Sequence, residues 1–141
     1  MREYCRARNL DFQAMAGEER RAAVAHLGRE LMDAVGRIVP VLPVPLMAAV
    51  FVAHPARALS GLELKAEVGR LLARLEAAGA HVYVPRGDLD YALTVGLRML
   101  QLRHLVAEEN GLFRACEPEL PLLAYYANSI AHLVEERITG R

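Results

Sequence analysis

The chain has 141 residues, 54% of them hydrophobic, enough for one domain with a substantial core and, at most, an added helical arm. Seventeen basic residues balance seventeen acidic ones, so there is no net basic excess of the kind that nucleic-acid binding draws on. Cys5 and Cys116 lie far apart and form no metal-ligand pattern, which points to a reducing cytosolic setting and away from a disulfide scaffold.

The opening MREYCRARN is charged and lacks the apolar run of a secretory signal. Residues 1–16 have weak periodicity and read as an arm or linker, leaving residues 17–141 as a single helical domain. From Gly17 a helix is expected, with Val24, Leu27, Leu31, Val35 and Ile38 on one apolar face. Glu18 and Glu19 in its first turn suit the positive end of the helix dipole. Pro40 ends it, because the residue before a proline avoids the helical region.

The longest apolar stretch runs from Ile38 to Ala53. A membrane span needs about 20 residues. This stretch is shorter and is interrupted by Pro40, Pro43 and Pro45. It reads as a buried turn and then a core helix opened by Pro45 and stopped by Pro55, with contact to a membrane surface as the alternative.

Ser60-Gly-Leu-Glu63 has the pattern of a capping box. It begins a helix with Leu64, Val68, Leu71, Leu72 and Leu75 inward and Gly79 as a left-handed terminator. Residues 81–84, HVYV, favour a short strand. Asp88 then caps a helix carrying Leu89, Ala92, Leu93, Leu97 and Leu100. Asn110-Gly111 signals a hairpin, with strands at about 104–108 and 112–116. Together with residues 81–84 these make a small three-stranded antiparallel sheet; the alternative is that the preceding helix continues to Glu109. The last helix is expected from Leu120 to Ile138. The fold class is therefore mainly α with a small antiparallel sheet or hairpin. Its second half looks winged-helix-like, but the acidic hairpin tip Glu108-Glu109-Asn110 would repel phosphate.

Chemistry concentrates in the closing LLAYYANSIAHLV. At helical spacing Tyr125, Asn128, Ser129 and His132 share a face beside an apolar one of Leu122, Tyr126, Ile130 and Leu133. Ser129 and His132 could be drawn as nucleophile and base, yet no orienting carboxylate is evident. The remaining readings are a hydrogen-bonded interior and a docking face. The five histidines lack the close pairing of a zinc motif, and no glycine-rich phosphate loop occurs, so neither metal nor cofactor is expected.

Several of these segments, in this order, resemble the region after the catalytic domain in bacterial glycerol-3-phosphate acyltransferases and their dihydroxyacetone-phosphate acyltransferase relatives. The opening REY, the EERR run at 18–21 and the VPVLPVPLMAAVF segment at 39–51 are similar to that family's segments. So is the closing stretch, where Tyr125, Tyr126, Asn128, Ile130, His132 and Leu133 match its "LxYYRNNIxHL" pattern. Ala127 stands where the family has arginine and Ser129 where it has a second asparagine. The family's HxxxxD motif, in which histidine is the general base and aspartate orients it, is absent: residues five beyond the histidines are Leu31, Leu59, Arg86, Glu109 and Arg137. The resemblance implies a non-catalytic C-terminal region with an upstream acyltransferase domain as its partner. It also implies a cytoplasmic parent, peripheral at the inner face of the cell membrane, and phospholipid synthesis as its setting. Tyr125, Tyr126, Asn128 and His132 are the candidate structural or docking residues, with no catalytic or metal-binding residue assigned.

Overall fold

The computed structural model describes residues 2–8 and 14–135. The chain divides into two compact units, Met1–Gly36 and Arg37–Arg141. The first contains α1 (Arg2–Ala7) and most of α2 (Gly17–Ile38). The two helices meet through polar contacts. The Tyr4 hydroxyl and His26 Nδ1 are hydrogen-bonded at 3.3 Å, and Arg8 pairs with Glu30 while its guanidinium lies 4.4 Å from the Tyr4 ring centre. The apolar stripe expected on α2 is present but not inward: no α2 residue is buried, and Leu31 and Met32 are 60% and 68% exposed. Among the described residues, α1 meets α2 at His26 and Glu30, beside the stripe.

The second unit is built on α3 (Pro43–Ala53). It begins at Pro43, two residues before the expected opening at Pro45, and ends before Pro55. A helix that is apolar on every side needs partners on several sides. α3 packs against α4 (Gly61–Ala77), α5 (Leu89–Leu102) and α6 (Leu120–Asn128), with Met47 and Phe51 fully buried. α3 and α5 approach closely at Gly96, where an added Cβ would lie 2.9 Å from the Pro43 carbonyl oxygen and 3.0 Å from Met47 Cγ.

The caps formed as their local chemistry dictates. Ser60 N–H donates to Glu63 Oε2 at 2.8 Å and Glu63 N–H to Ser60 Oγ at 3.3 Å, the reciprocal capping box. Asp88 Oδ1 accepts from Tyr91 N–H at 3.1 Å. Gly79, at φ +77°, closes α4 with Ala80 N–H bonded to the Leu75 carbonyl and Gly79 N–H to that of Glu76, a Schellman ending. His104, at φ +59°, does the same for α5.

The hairpin also formed, as β2 (Val106–Glu109) and β3 (Leu112–Ala115). Asn110 and Gly111 both have positive φ, as its two-residue turn requires. The third strand is not 81–84. It is β1 (Leu59–Ser60), antiparallel to β3 with Leu59 opposite Phe113, giving the order β1-β3-β2. Val82 instead forms a single parallel bridge with Val41, whose N–H donates to the His81 carbonyl at 2.8 Å and whose carbonyl accepts from Tyr83 N–H at 3.0 Å. Helix α3, strand β1, helices α4 and α5 and then a hairpin, with the first strand beside the last, is a winged-helix-like connectivity.

The last helix is shorter than expected. After α6 the ladder tightens: Ile130 N–H bonds to the Ala127 carbonyl and Leu133 N–H to that of Ile130. The Ser129 hydroxyl donates to the Tyr126 carbonyl at 2.9 Å, competing with the regular helix bond. A separate α7 (Ala131–Glu135) follows. The expected helix beyond Glu135 lies outside the described residues.

Gly96→Ala is expected to destabilise the chain by about 1–3 kcal/mol, because backbone or the Met47 side chain must shift. Gly69→Ala, on the open face of α4 with nothing within 4 Å of the new methyl, should instead stabilise by roughly 0.5–1 kcal/mol. Denaturant midpoints of the two variants check the pair.

A second expectation concerns pH. Two hydrogen bonds from Ser60, backbone and hydroxyl, and then Arg57 lower the Glu63 carboxyl from 4.5 to about 2. Its folded-state pKa is depressed, so its contribution is fully present above 4.5 and is lost as pH falls towards about 2. Glu63→Gln should be less stable than wild type at neutral pH, and the difference should vanish on acidification through that window.

Candidate functional site

The residues singled out in the closing segment lie at the surface of the second unit. Tyr125 is 72% exposed, Asn128, Ser129 and His132 are exposed, and Tyr126 is half-buried. The inward side of this segment is Leu123, Ala127 and Ile130, one position round from the expected Leu122 face. Leu122 is exposed. Among the described residues no polar or charged side chain is fully buried.

Tyr125, Tyr126, Asn128 and Ser129 line one side of an open groove of about 650 Å³. Its other walls come from elsewhere in the chain: Leu42, Val44 and Pro45 at the start of α3, and Met99 and Arg103 at the end of α5. His132 is not among the lining residues. The two tyrosine rings meet edge to face, 6.0 Å apart at 76°. The Arg103 guanidinium donates from Nη1 to the Tyr126 hydroxyl and lies 5.5 Å from that ring's centre. Met99 and Leu42 expose apolar surface at the groove.

The groove joins apolar surface to one cation and to exposed hydroxyl and amide groups, an arrangement that can bind a ligand. The Ser129 hydroxyl gives its proton to the Tyr126 carbonyl, as a hydroxyl at a helix end does. The end of α6 at Asn128 places His132 on the following short helix. Among the described residues, no group of three or more His, Cys, Asp or Glu side chains is placed to hold a metal ion. At the hairpin tip Glu109 accepts from Arg114 at 3.3 Å and Glu108 from Gln101 at 3.1 Å.

Arg103 and Met99 had no signal in the sequence as site residues. They sit more than twenty residues before the tyrosines and reach them only because α3 holds α5 and α6 on adjacent sides. Ala127, where the resembling family carries arginine, is 8% exposed, so this position contributes packing, not charge.

The family model of the glycerol-3-phosphate acyltransferase C-terminal region matches residues 1–137. The match spans almost the whole chain, and the protein belongs to that family. It is thus a C-terminal region of a glycerol-3-phosphate acyltransferase-like protein, a description that implies an associated upstream catalytic domain. No curated protein and no solved structure matches the chain significantly. Among the described residues no helix is long and apolar enough to cross a membrane.

The surface and core faces of α6 should separate cleanly on mutation. Leu123→Ala is expected to cost about 2–5 kcal/mol, since Leu123 is fully buried. Tyr125→Ala should stay within about 0.5 kcal/mol of wild type. Thermal or urea unfolding of both variants provides the comparison.

Proposed function

We propose that this region is the non-catalytic C-terminal domain of its acyltransferase and that it packs against the upstream catalytic domain through the apolar stripe of α2. The carrying observation is that stripe. Val24, Leu31, Met32, Val35 and Ile38 recur at helical spacing along the 22-residue α2, and each is about half exposed or more. Contiguous exposed apolar surface of this kind marks an interaction site. The family supplies the partner, a catalytic domain N-terminal to this region. On this reading residues 1–16 form the arm that leads from it.

The parent reaction would move an acyl group from an acyl-carrier-protein or coenzyme A thioester to the first hydroxyl of glycerol 3-phosphate, a step of phospholipid synthesis. Its histidine base belongs to the upstream domain's HxxxxD motif. The present chain contributes no such motif, and its Ser129 hydroxyl is engaged by the Tyr126 carbonyl. The parent would work in the cytoplasm, peripheral at the inner face of the membrane. The tyrosine groove, with Tyr125, Tyr126 and Asn128, is a second exposed surface; His132 lies nearby in sequence but outside it.

The winged-helix-like connectivity supports a second reading, a self-standing interaction module. It does not favour nucleic acid as the partner. The acidic hairpin tip would repel phosphate, and on α5 Asp90 pairs with Lys65 at 2.6 Å.

The test is binding of the chain to a separately expressed HxxxxD domain of the same protein. Leu31→Asp and Val35→Asp are expected to weaken that binding at least about tenfold while leaving unfolding midpoints near wild type, because neither side chain is buried. Acyl turnover by the 141-residue chain alone, or binding indifferent to both substitutions, would overturn the proposal.

A further inference from the structure

We propose that the groove between α3, α5 and α6 is a binding site for a single-chain anionic amphiphile, with an alkyl tail over Leu42, Pro45 and Met99 and a carboxylate or phosphate head on Arg103 and Asn128. Its volume of about 650 Å³ is that of a small-molecule site, which commonly spans roughly 300–1,000 Å³. Its floor is apolar, and Leu42 and Met99 expose surface there that a tail would remove from water.

The charge at the rim selects the head. Arg8, Arg57, Arg70 and Arg114 each face a glutamate. Arg103 faces a phenol instead: it donates one hydrogen bond to the Tyr126 hydroxyl, and among the described residues it has no carboxylate partner. A guanidinium has five N–H donors, so four remain for a ligand. The bond to Tyr126 fixes its position, which lowers the entropy lost when it clamps an anion. No aspartate or glutamate lines the groove, and Asn128 offers an exposed amide donor beside it. A cation at one edge of an apolar trough complements a ligand that is anionic at one end and apolar along the rest. The trough is lined from the starts and ends of α3, α5 and α6 and has the volume of a small-molecule site, which suits one monomeric chain.

This inference does not depend on the docking role of α2. It is tested with the full chain by calorimetric titration and by amide shift mapping. The probes are dodecyl phosphate and dodecanoate below their micelle concentrations, dodecyl maltoside as an uncharged head, inorganic phosphate as a head without a tail, and phosphatidylglycerol vesicles. Saturable binding of the two anionic amphiphiles is expected, with shifts at Met99, Arg103 and Asn128, weaker binding of the maltoside and none of inorganic phosphate. Arg103→Gln should weaken the anionic ligands by about tenfold or more, the scale of a charged hydrogen bond. Met99→Asp should weaken both charged and uncharged ligands. Tyr126→Phe, which removes the arginine's phenolic acceptor but keeps the ring, should weaken the anionic ligands, though less than Arg103→Gln does, because the cation remains but is no longer held in place. Unfolding midpoints near wild type establish that the variants fold; all the substituted side chains are at least partly exposed. Equal affinity of wild type and Arg103→Gln would overturn the proposal. So would binding to vesicles alone, shifts confined to another face, or no saturable binding at all.

Discussion

Met47 and Phe51 lie fully buried on α3, a helix without a polar side, and the placement of the other elements of the second unit follows from covering it. Helices α4, α5 and α6 each take one aspect of it. The approach to α5 is close, because Gly96 has no side chain to hold the two backbones apart. That approach brings the end of α5, with Met99 and Arg103, to the same side as the tyrosines of α6. The groove is therefore a by-product of how three helices share one apolar axis.

The two units contrast in what holds them. In the second, nineteen buried residues form one apolar cluster, joined by partly buried neighbours such as Val82, Leu97 and Tyr126. In the first, the contacts between α1 and α2 are polar and exposed: a tyrosine with a histidine, an arginine with a glutamate. Exposed pairs of this sort contribute little each, about 0–1 kcal/mol. Among the described residues no α2 side chain is buried, and that exposed apolar stripe is the physical basis of the proposed docking role.

Features governed by adjacent residues were legible in the sequence. Ser60 with Glu63, Asp88, Gly79 and Asn110-Gly111 each acted where their chemistry placed them, since a cap or a tight turn is decided within a few residues. The mainly helical class with a small antiparallel sheet followed from them. The composition of the sheet did not. Two residues, Leu59 and Ser60, have no periodicity to betray a strand, whereas HVYV has strand propensity but pairs only through Val82 with Val41. The break after Asn128 was hidden because residues 120–134 satisfy a helical pattern throughout, and it shows only in the tightened hydrogen bonds at Ser129, Ile130 and Leu133. The stripe on α2 was visible, but periodicity says that a face is apolar and not what covers it. Three of the four candidate residues share a groove, yet Arg103, its charge, comes from a helix the closing motif does not mention.

Ser60 belongs to two structures at once. It is the last residue of β1, opposite Leu112, and it is also the N-cap whose hydroxyl and amide engage Glu63. Helix ends ordinarily fray on their own, at little free-energy cost and without disturbing the rest of a domain. Here the first turn of α4 cannot open without releasing the strand beside β3, and the strand cannot detach without uncapping the helix. Sheet and helix are thereby joined into one cooperative unit at a single residue.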